Sequence, residues 1–219
     1  MPPAALLAQH LESAGGIALR FPVESDRDAF IDLRRSCRQY LQAWEPAAAP
    51  GFDAFGDDGF THELATARRP DSERWLIVHH ASTADRGRIV GRLCASAIER
   101  GPLQSCRFGY WVAERFAGRG FMTAALRLGV RRCFESLGLH RVEASVAPEN
   151  APSKSCLVKA GFRLEGYSPR MIKLNGAWRD QERYAITIEE YRVSAPRNAN
   201  VPNDTSVSPR RPARSPAST

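Results

Sequence analysis

The run Arg115-Phe116-Ala117-Gly118-Arg119-Gly120 constrains this chain more than any other. Before it stands Cys106-Arg107-Phe108-Gly109-Tyr110-Trp111-Val112, rich in aromatic and β-type residues. After it, Met122, Ala125, Leu126, Gly129, Val130, Cys133, Phe134 and Leu137 recur at helical spacing. The segment reads as strand, glycine turn, helix. Two glycines let the backbone approach a ligand with no Cβ in the way. The unpaired N–H groups of the new helix point into the turn and make an anion site, to which Arg115 and Arg119 add positive charge. A pyrophosphate fits such a site.

Two common pyrophosphate readers are excluded. No Gly-Lys-Ser/Thr follows the turn, so it is not a Walker A loop. Thr123 holds the third glycine position of a dinucleotide fingerprint, and no βαβ unit opens the chain. Farther on, Leu139 to Val146 reads as a strand that runs into Pro148-Glu149-Asn150, a short helix from Ala151 to Ala160, and Gly161-Phe162. Asn150 suits an N-cap, Pro152 a first turn, and Gly161 the position after a helix end.

The pattern Arg-x-x-Gly-x-Gly resembles the acetyl-CoA loop of the GNAT N-acetyltransferases. Strand, asparagine, short helix and Gly-Phe resemble the second half of that cofactor site. Arg163-Leu164-Glu165-Gly166-Tyr167 and Leu174-Asn175-Gly176-Ala177-Trp178-Arg179-Asp180 resemble the branch that acetylates ribosomal-protein N-termini, RimJ and RimL. So does Arg38-Gln39-Tyr40-Leu41-Gln42-Ala43-Trp44-Glu45-Pro46 near the start. The resemblance covers roughly Ala18 to Ile188.

It implies a mixed α/β GNAT fold, with a mostly antiparallel twisted sheet, two splayed strands and helices on both faces. It implies acetyl-CoA as co-substrate. The implied contacts run from Trp111 and Val112 through Arg115, Phe116, Ala117, Gly118, Arg119 and Gly120 to Phe121 and Met122, with Asn150 and Ser155 opposite. Trp44 and Trp178 flank the family's acceptor groove, and both also read as core aromatics. The implied acceptor is a protein N-terminus or peptide, such as that of a ribosomal protein.

The chemistry narrows the catalytic residues. Acetyl transfer needs a neutral amine; an α-amino group, with a pKa of about 7.7–8.0, lies much closer to that state at pH 7 than a lysine at about 10.4. Glu143 is the carboxylate on the non-core side of its strand, and related N-terminal alanine acetyltransferases have a glutamate base at the matching position. It reads either as that base or as a surface partner of Arg141. Many GNATs carry a tyrosine acid four positions before the Gly of Gly-Phe, where this chain has Leu157. Ser153 is then the first substitute hydroxyl and Ser155 the second, unless both are only polar residues of a short helix. Glu114, Asp180 and Glu182 are lesser candidates for the base.

A length of 219 residues, 43% of them hydrophobic, suits one domain with a core plus a tail. Residues 1–16 read as a loose leader, 17–192 as the acetyltransferase domain, and 193–219 as a disordered Pro/Ser/Arg-rich tail. Five cysteines without ligand spacing suit reduced thiols in the cytoplasm. No stretch of 18 apolar residues suggests a membrane span, and neither a metal set nor a Ser/His/Asp triad is apparent. Of the net charge of +7, Arg197, Arg210, Arg211 and Arg214 against Asp204 put three in the tail. Direct nucleic-acid binding is not expected, and a monomer or homodimer is. A small-amine acetyltransferase, a non-catalytic CoA-binding module and an RNA-associated protein are the competing readings.

Expected elements are a strand at Ile17–Phe21, a helix at Asp26–Leu41 and a second at Phe60–Ala67. Paired strands follow at Trp75–His79 and Ile89–Ala97, turning near Asp85-Arg86-Gly87. A hairpin with Asn175-Gly176 at its tip joins Met171–Leu174 to Tyr184–Ile188.

Overall fold

A computed structural model describes residues 12–14, 16–80 and 87–194. The strands are β1 (Glu12–Ala14), β2 (Ile17–Arg20), β3 (Arg68–Arg69), β4 (Ser72–His79), β5 (Arg88–Glu99), β6 (Ser105–Val112), β7 (Arg141–Val146), β8 (Arg163–Leu174) and β9 (Ala177–Thr187). They form one sheet in the order β1-β2-β4-β5-β6-β7-β9-β8, with β3 beside β4. Only β6 and β7 pair in parallel; every other pair is antiparallel. The helices are α1 (Arg27–Ser36), α2 (Arg38–Gln42), α3 (Asp57–Ala65), α4 (Phe121–Arg131), α5 (Ala151–Lys159) and α6 (Ile188–Ser194). None of the described helices is long and apolar enough to cross a membrane.

Helices cover both faces of the sheet, as β6 shows. Side chains three apart on a strand point to opposite faces. Phe108 lies under Gly129 of α4, where an added Cβ would come within 3.1 Å of its ring. Trp111 meets Phe30 of α1 edge-on, with ring centroids 5.8 Å apart. Gly129 allows α4 to sit this low: a Cβ there would also lie 2.5 Å from Leu93 of β5. The inward face of α4 carries Met122, Ala125, Leu126, Leu128, Gly129 and Val130, the helical pattern of the sequence.

Four expectations are corrected in detail. The sheet starts before Ile17, because Glu12–Ala14 pair with Ile17–Leu19. The helix expected over Asp26–Leu41 is broken at Cys37, whose backbone is at φ −123° and ψ 23°. There the Ser36 hydroxyl and the Cys37 thiol both turn back onto the Leu33 carbonyl, at 2.8 and 3.1 Å, an alternative to continuing the ladder. The periodic run to Leu137 is α-helical only to Arg131 and closes with a wider π turn over Arg132–Ser136. That turn keeps Cys133 and Phe134 buried while Arg132 reaches Glu73 on β4 at 3.1 Å. The hairpin pairs directly at its tip, Leu174 with Ala177, and its strands run far beyond the expected Met171–Leu174 and Tyr184–Ile188; Ile188 already opens α6. Asn175 and Gly176 both have positive φ, 49° and 82°, as a two-residue hairpin turn requires. The turn at Asp85-Arg86 and the tail from Ala195 onward lie outside the described residues.

β2 is tied to the start of α1 by a buried ion pair. Arg20 donates to both oxygens of Asp26 at 2.7 Å, and Asp26 also accepts the Val23 N–H at 2.9 Å. Only 6% of the Arg20 side chain is exposed, so removing its partner leaves a desolvated cation. Asp26→Ala is expected to cost about 3–5 kcal/mol, which lowers the melting temperature by roughly 6–20 °C for a domain of this size. A calorimetric scan that finds the variant as stable as the parent would show that the pair contributes nothing net.

Candidate active site

The site arises where β6 and β7 part. They pair over Ser105–Phe108 and Arg141–Ala144 and no farther. Beyond that point β6 stays on β5 as far as Val112, and β7 stays on β9 as far as Val146. A wedge opens between them, floored by backbone that no neighbouring strand satisfies.

One side of the wedge is the glycine turn. A single 3-10 turn over Glu114–Phe116 buries Phe116, and the guanidinium groups of Arg88, Arg115 and Arg119 lie over its ring at 5.3, 5.0 and 5.8 Å. Gly118 and Gly120 follow with φ of 74° and 78°, a region that L side chains rarely adopt. A Cβ on either would meet nothing within 4 Å, so bare backbone faces open space. Gly120 begins α4, and no side chain caps it. The first-turn N–H groups are therefore left for an anion. The other side is α5. Asn150 caps it by accepting the Ser153 N–H at 3.2 Å, and Gly161 closes it at φ 99°.

Two cavities fill the wedge. The first, about 310 Å³, runs along Val112, Phe116, Ala117, Gly118, Gly120 and Phe121, then past Met122 to Ser155. The second, about 240 Å³, is roofed by Ile172 and Leu174 of the hairpin and reaches Ser145 and Gln181. They share Trp44, Glu45, Tyr110, Trp111, Asn150 and Ser153. The hairpin tip is pinned above them by the Asn175 amide, which donates to the Gln42 carbonyl at 2.8 Å.

Most residues singled out in the sequence converge here. Arg115 and Arg119 do not line the first cavity but flank it through Phe116. Ser155 borders only the first cavity, whereas Ser153 stands at the junction. Five residues are placed elsewhere, since the lesser candidates Glu114, Asp180 and Glu182 line neither cavity either. Trp178 is 61% exposed on the hairpin and lines neither cavity, because its strand turns that side chain outward to solvent. Glu143 also lines neither: it lies on the still-paired part of β7, 2.7 Å from the Arg141 guanidinium and 3.7 Å from that of Arg107. The surface pairing is the reading that the geometry favours for Glu143.

Two other residues reach the junction without having been assigned a role. Tyr110 is hydrogen-bonded to Ser153, oxygen to oxygen, at 2.8 Å across the wedge. Burial pushes its phenol well above the usual value of 10.0, so it stays a neutral donor. Leu157, where many GNATs have tyrosine, is wholly buried in the core. The aromatic hydroxyl at the junction stands on β6, two residues before the strand meets the loop, and α5 carries none. Glu45 is the one carboxylate lining either cavity, held by both nitrogens of the Arg34 fork at 3.1 and 2.8 Å. Its place after Trp44 was read only as a family feature.

Comparison with known proteins agrees with this geometry. Residues 17–163 match the acetyltransferase (GNAT) domain. The [Ribosomal protein uS5]-alanine N-acetyltransferase of Escherichia coli is 27% identical over 168 residues, 76% of this chain and 86% of that protein. A Bacillus subtilis protein named "Probable N-acetyltransferase YjcK" is 42% identical over 104 residues, 48% of this chain and 58% of that protein. Among solved structures, Mycobacterium smegmatis RimJ in complex with CoA-disulfide superposes with a TM-score of 0.71 at 35% identity, covering 80% of this chain and 83% of that one. With an uncapped glycine turn, a parted strand pair and these relatives, the chain belongs to the GNAT acetyltransferases, in their RimJ-like branch, and is an acyltransferase that uses acetyl-CoA.

Proposed function

We propose that this enzyme transfers the acetyl group to the α-amino group of a protein N-terminus, of the ribosomal-protein type, in a ternary complex. The observation that carries the reading is the meeting of two cavities at one junction. A co-substrate arm in the first and an amine in the second would touch there without a covalent enzyme intermediate. The relative that acts on the alanine of ribosomal protein uS5, aligned over three quarters of this chain, supports a protein acceptor. A cytoplasmic setting, where ribosomal proteins are made, goes with that acceptor.

Acetyl-CoA supplies the activated acyl carbon and a thiolate leaving group. The backbone amides at Gly118 to Met122 would hold its pyrophosphate, and Asn150 would hold the pantetheine arm while it caps α5. Glu45 orients the amine: its carboxylate keeps lone pairs beyond those used by Arg34, and they accept N–H bonds. The amine nitrogen attacks the thioester carbon, the C–S bond breaks, and the amine proton leaves to water in the wedge. Ser153 gives its hydroxyl proton to the departing sulfur and recovers one from Tyr110, which is resupplied by solvent.

Removing the Gly118 cradle tests the first half. Gly118→Asp adds a carboxylate where phosphate should sit and strains a backbone at positive φ. CoA affinity measured by calorimetry should fall about 10- to 100-fold, the loss of one or two charge-assisted hydrogen bonds; unchanged affinity in the folded variant would refute the pyrophosphate assignment.

The junction hydroxyls test the second half. On an alanine-initiated peptide, Ser153→Ala should lower kcat about 10²-fold, the low end for a positioned acid. Tyr110→Phe should lower it less, and the double variant should be no slower than Ser153→Ala, because both act on one proton path. Glu143→Gln should keep wild-type turnover at pH 7; a 10²-fold loss would return the base to β7.

The pH profile follows from the same groups. Rate should climb as the acceptor amine deprotonates through about 7.7–8.0. The Tyr110 pKa is raised, so its donor form persists above pH 10 and contributes no falling limb below that. A descending limb between pH 8 and 10 that vanishes in Tyr110→Phe would contradict this assignment.

A further inference from the structure

The second cavity contains polar groups that the reaction itself leaves unused. The side-chain amide nitrogen of Gln181 and the indole nitrogen of Trp111 are buried, and neither has a hydrogen-bond partner among the described residues. Gln181 is only 3% exposed and Trp111 only 6%. A buried N–H without an acceptor costs about 1–3 kcal/mol, so a pair of them on one cavity marks a place where an acceptor atom is meant to arrive. Gln181 borders the second cavity alone, and Trp111 stands where the two cavities join.

The charged groups around the cavity are already partnered. Glu63, 5% exposed, serves two guanidinium groups at once: Arg74 at 3.2 Å and Arg92 at 3.4 Å. Arg92 lines the second cavity, and its guanidinium also donates to the Cys94 sulfur at 2.8 Å. Glu45 is matched by Arg34. Of the residues that line the second cavity only Arg92 and Glu45 are charged, and they balance, so what marks the cavity is its pair of unmatched N–H donors. A polyamine offers no acceptor to those donors. A molecule whose reacting amine sits beside a carbonyl oxygen does.

We propose that Gln181, assisted by the Trp111 indole, hydrogen-bonds the carbonyl oxygen next to the reacting amine, and so restricts the acceptor to α-amino amides such as peptide N-termini. This rests on the reading of the acceptor given above and extends it to a specificity residue. Gln181 is on β9 just past the end of β7, opposite Ser168, so the hairpin brings it to the wedge. It takes no part in proton transfer; it positions the amine for attack at the junction.

The test changes one group on each side. L-alaninamide and isopropylamine differ in the carbonyl group beside the amine, and rates are compared per concentration of neutral amine to remove their difference in basicity. Spermidine and an alanine-initiated hexapeptide complete the set. The full-length wild type should favour alaninamide and the hexapeptide over isopropylamine and spermidine. Gln181→Leu should lower kcat/KM for alaninamide and the hexapeptide about 2- to 10-fold, one neutral hydrogen bond, mainly through KM. It should leave kcat/KM for isopropylamine and the KM for acetyl-CoA unchanged, and should not lower the melting temperature, because it removes an unmatched buried donor. Gln181→Glu keeps the shape and removes the donor, and should show the same selective loss.

Equal losses on alaninamide and isopropylamine, or a lowered melting temperature with no change in selectivity, would overturn the inference by making Gln181 structural. Wild-type preference for spermidine would overturn the protein-acceptor reading along with it. Wild-type preference for the hexapeptide with unaltered selectivity in both variants would overturn the Gln181 role alone.

Discussion

The site depends on a pairing that stops. Four residues of β6 bond in parallel to four of β7, and past Phe108 and Ala144 the strands separate. A continuous sheet would have no opening between the anion-binding turn and α5. The separation does not unravel the sheet, because each strand keeps its outer partner: β6 is held by β5 and β7 by β9. The unsatisfied inner edges are then the natural place for an extended ligand that carries its own amide groups, as the pantetheine arm of CoA does. Both cavities, the Tyr110–Ser153 contact and the exposed glycine backbone follow from this local failure of pairing.

The half of the site proposed for the co-substrate was legible because its chemistry is local. A turn that must expose backbone N–H groups needs glycine at positive φ, and a helix that starts there leaves a periodic trace immediately after it. Asn150 and Gly161 announce a short helix for the same reason, since capping acts over three or four residues. These rules span only neighbours in the chain, so one sequence suffices to apply them.

The half proposed for the acceptor was less legible because it is assembled from distant segments. Glu45 reaches the junction from the end of the first helical region, and what makes it a buried-edge carboxylate is Arg34, eleven residues earlier. Gln181 lies in a strand with exposed, charged neighbours, a pattern that gives no hint that one amide turns into a cavity. Glu143 stands outside the cavities for a related reason. Alternation placed it correctly on the non-core side of β7, but alternation does not report how far along the strand the partner departs. Glu143 lies opposite Arg107, where the strands are still joined, and Ser145, two residues later, is where the cavity begins.

The position of the aromatic hydroxyl has an evolutionary consequence. Leu157 is wholly buried, so its side chain belongs to the core rather than to the ligand. A tyrosine introduced there would have to push its ring through packed neighbours, and inserting such bulk costs about 1–3 kcal/mol. Moving the hydroxyl back from strand to helix would therefore demand repacking under α5 as well as loss of the phenol at position 110. The two arrangements are separate solutions divided by a destabilised intermediate. On the proton path proposed above, a lineage moving from one to the other would pass through a variant repacked under α5, so changes at residues 110 and 157 should be coupled.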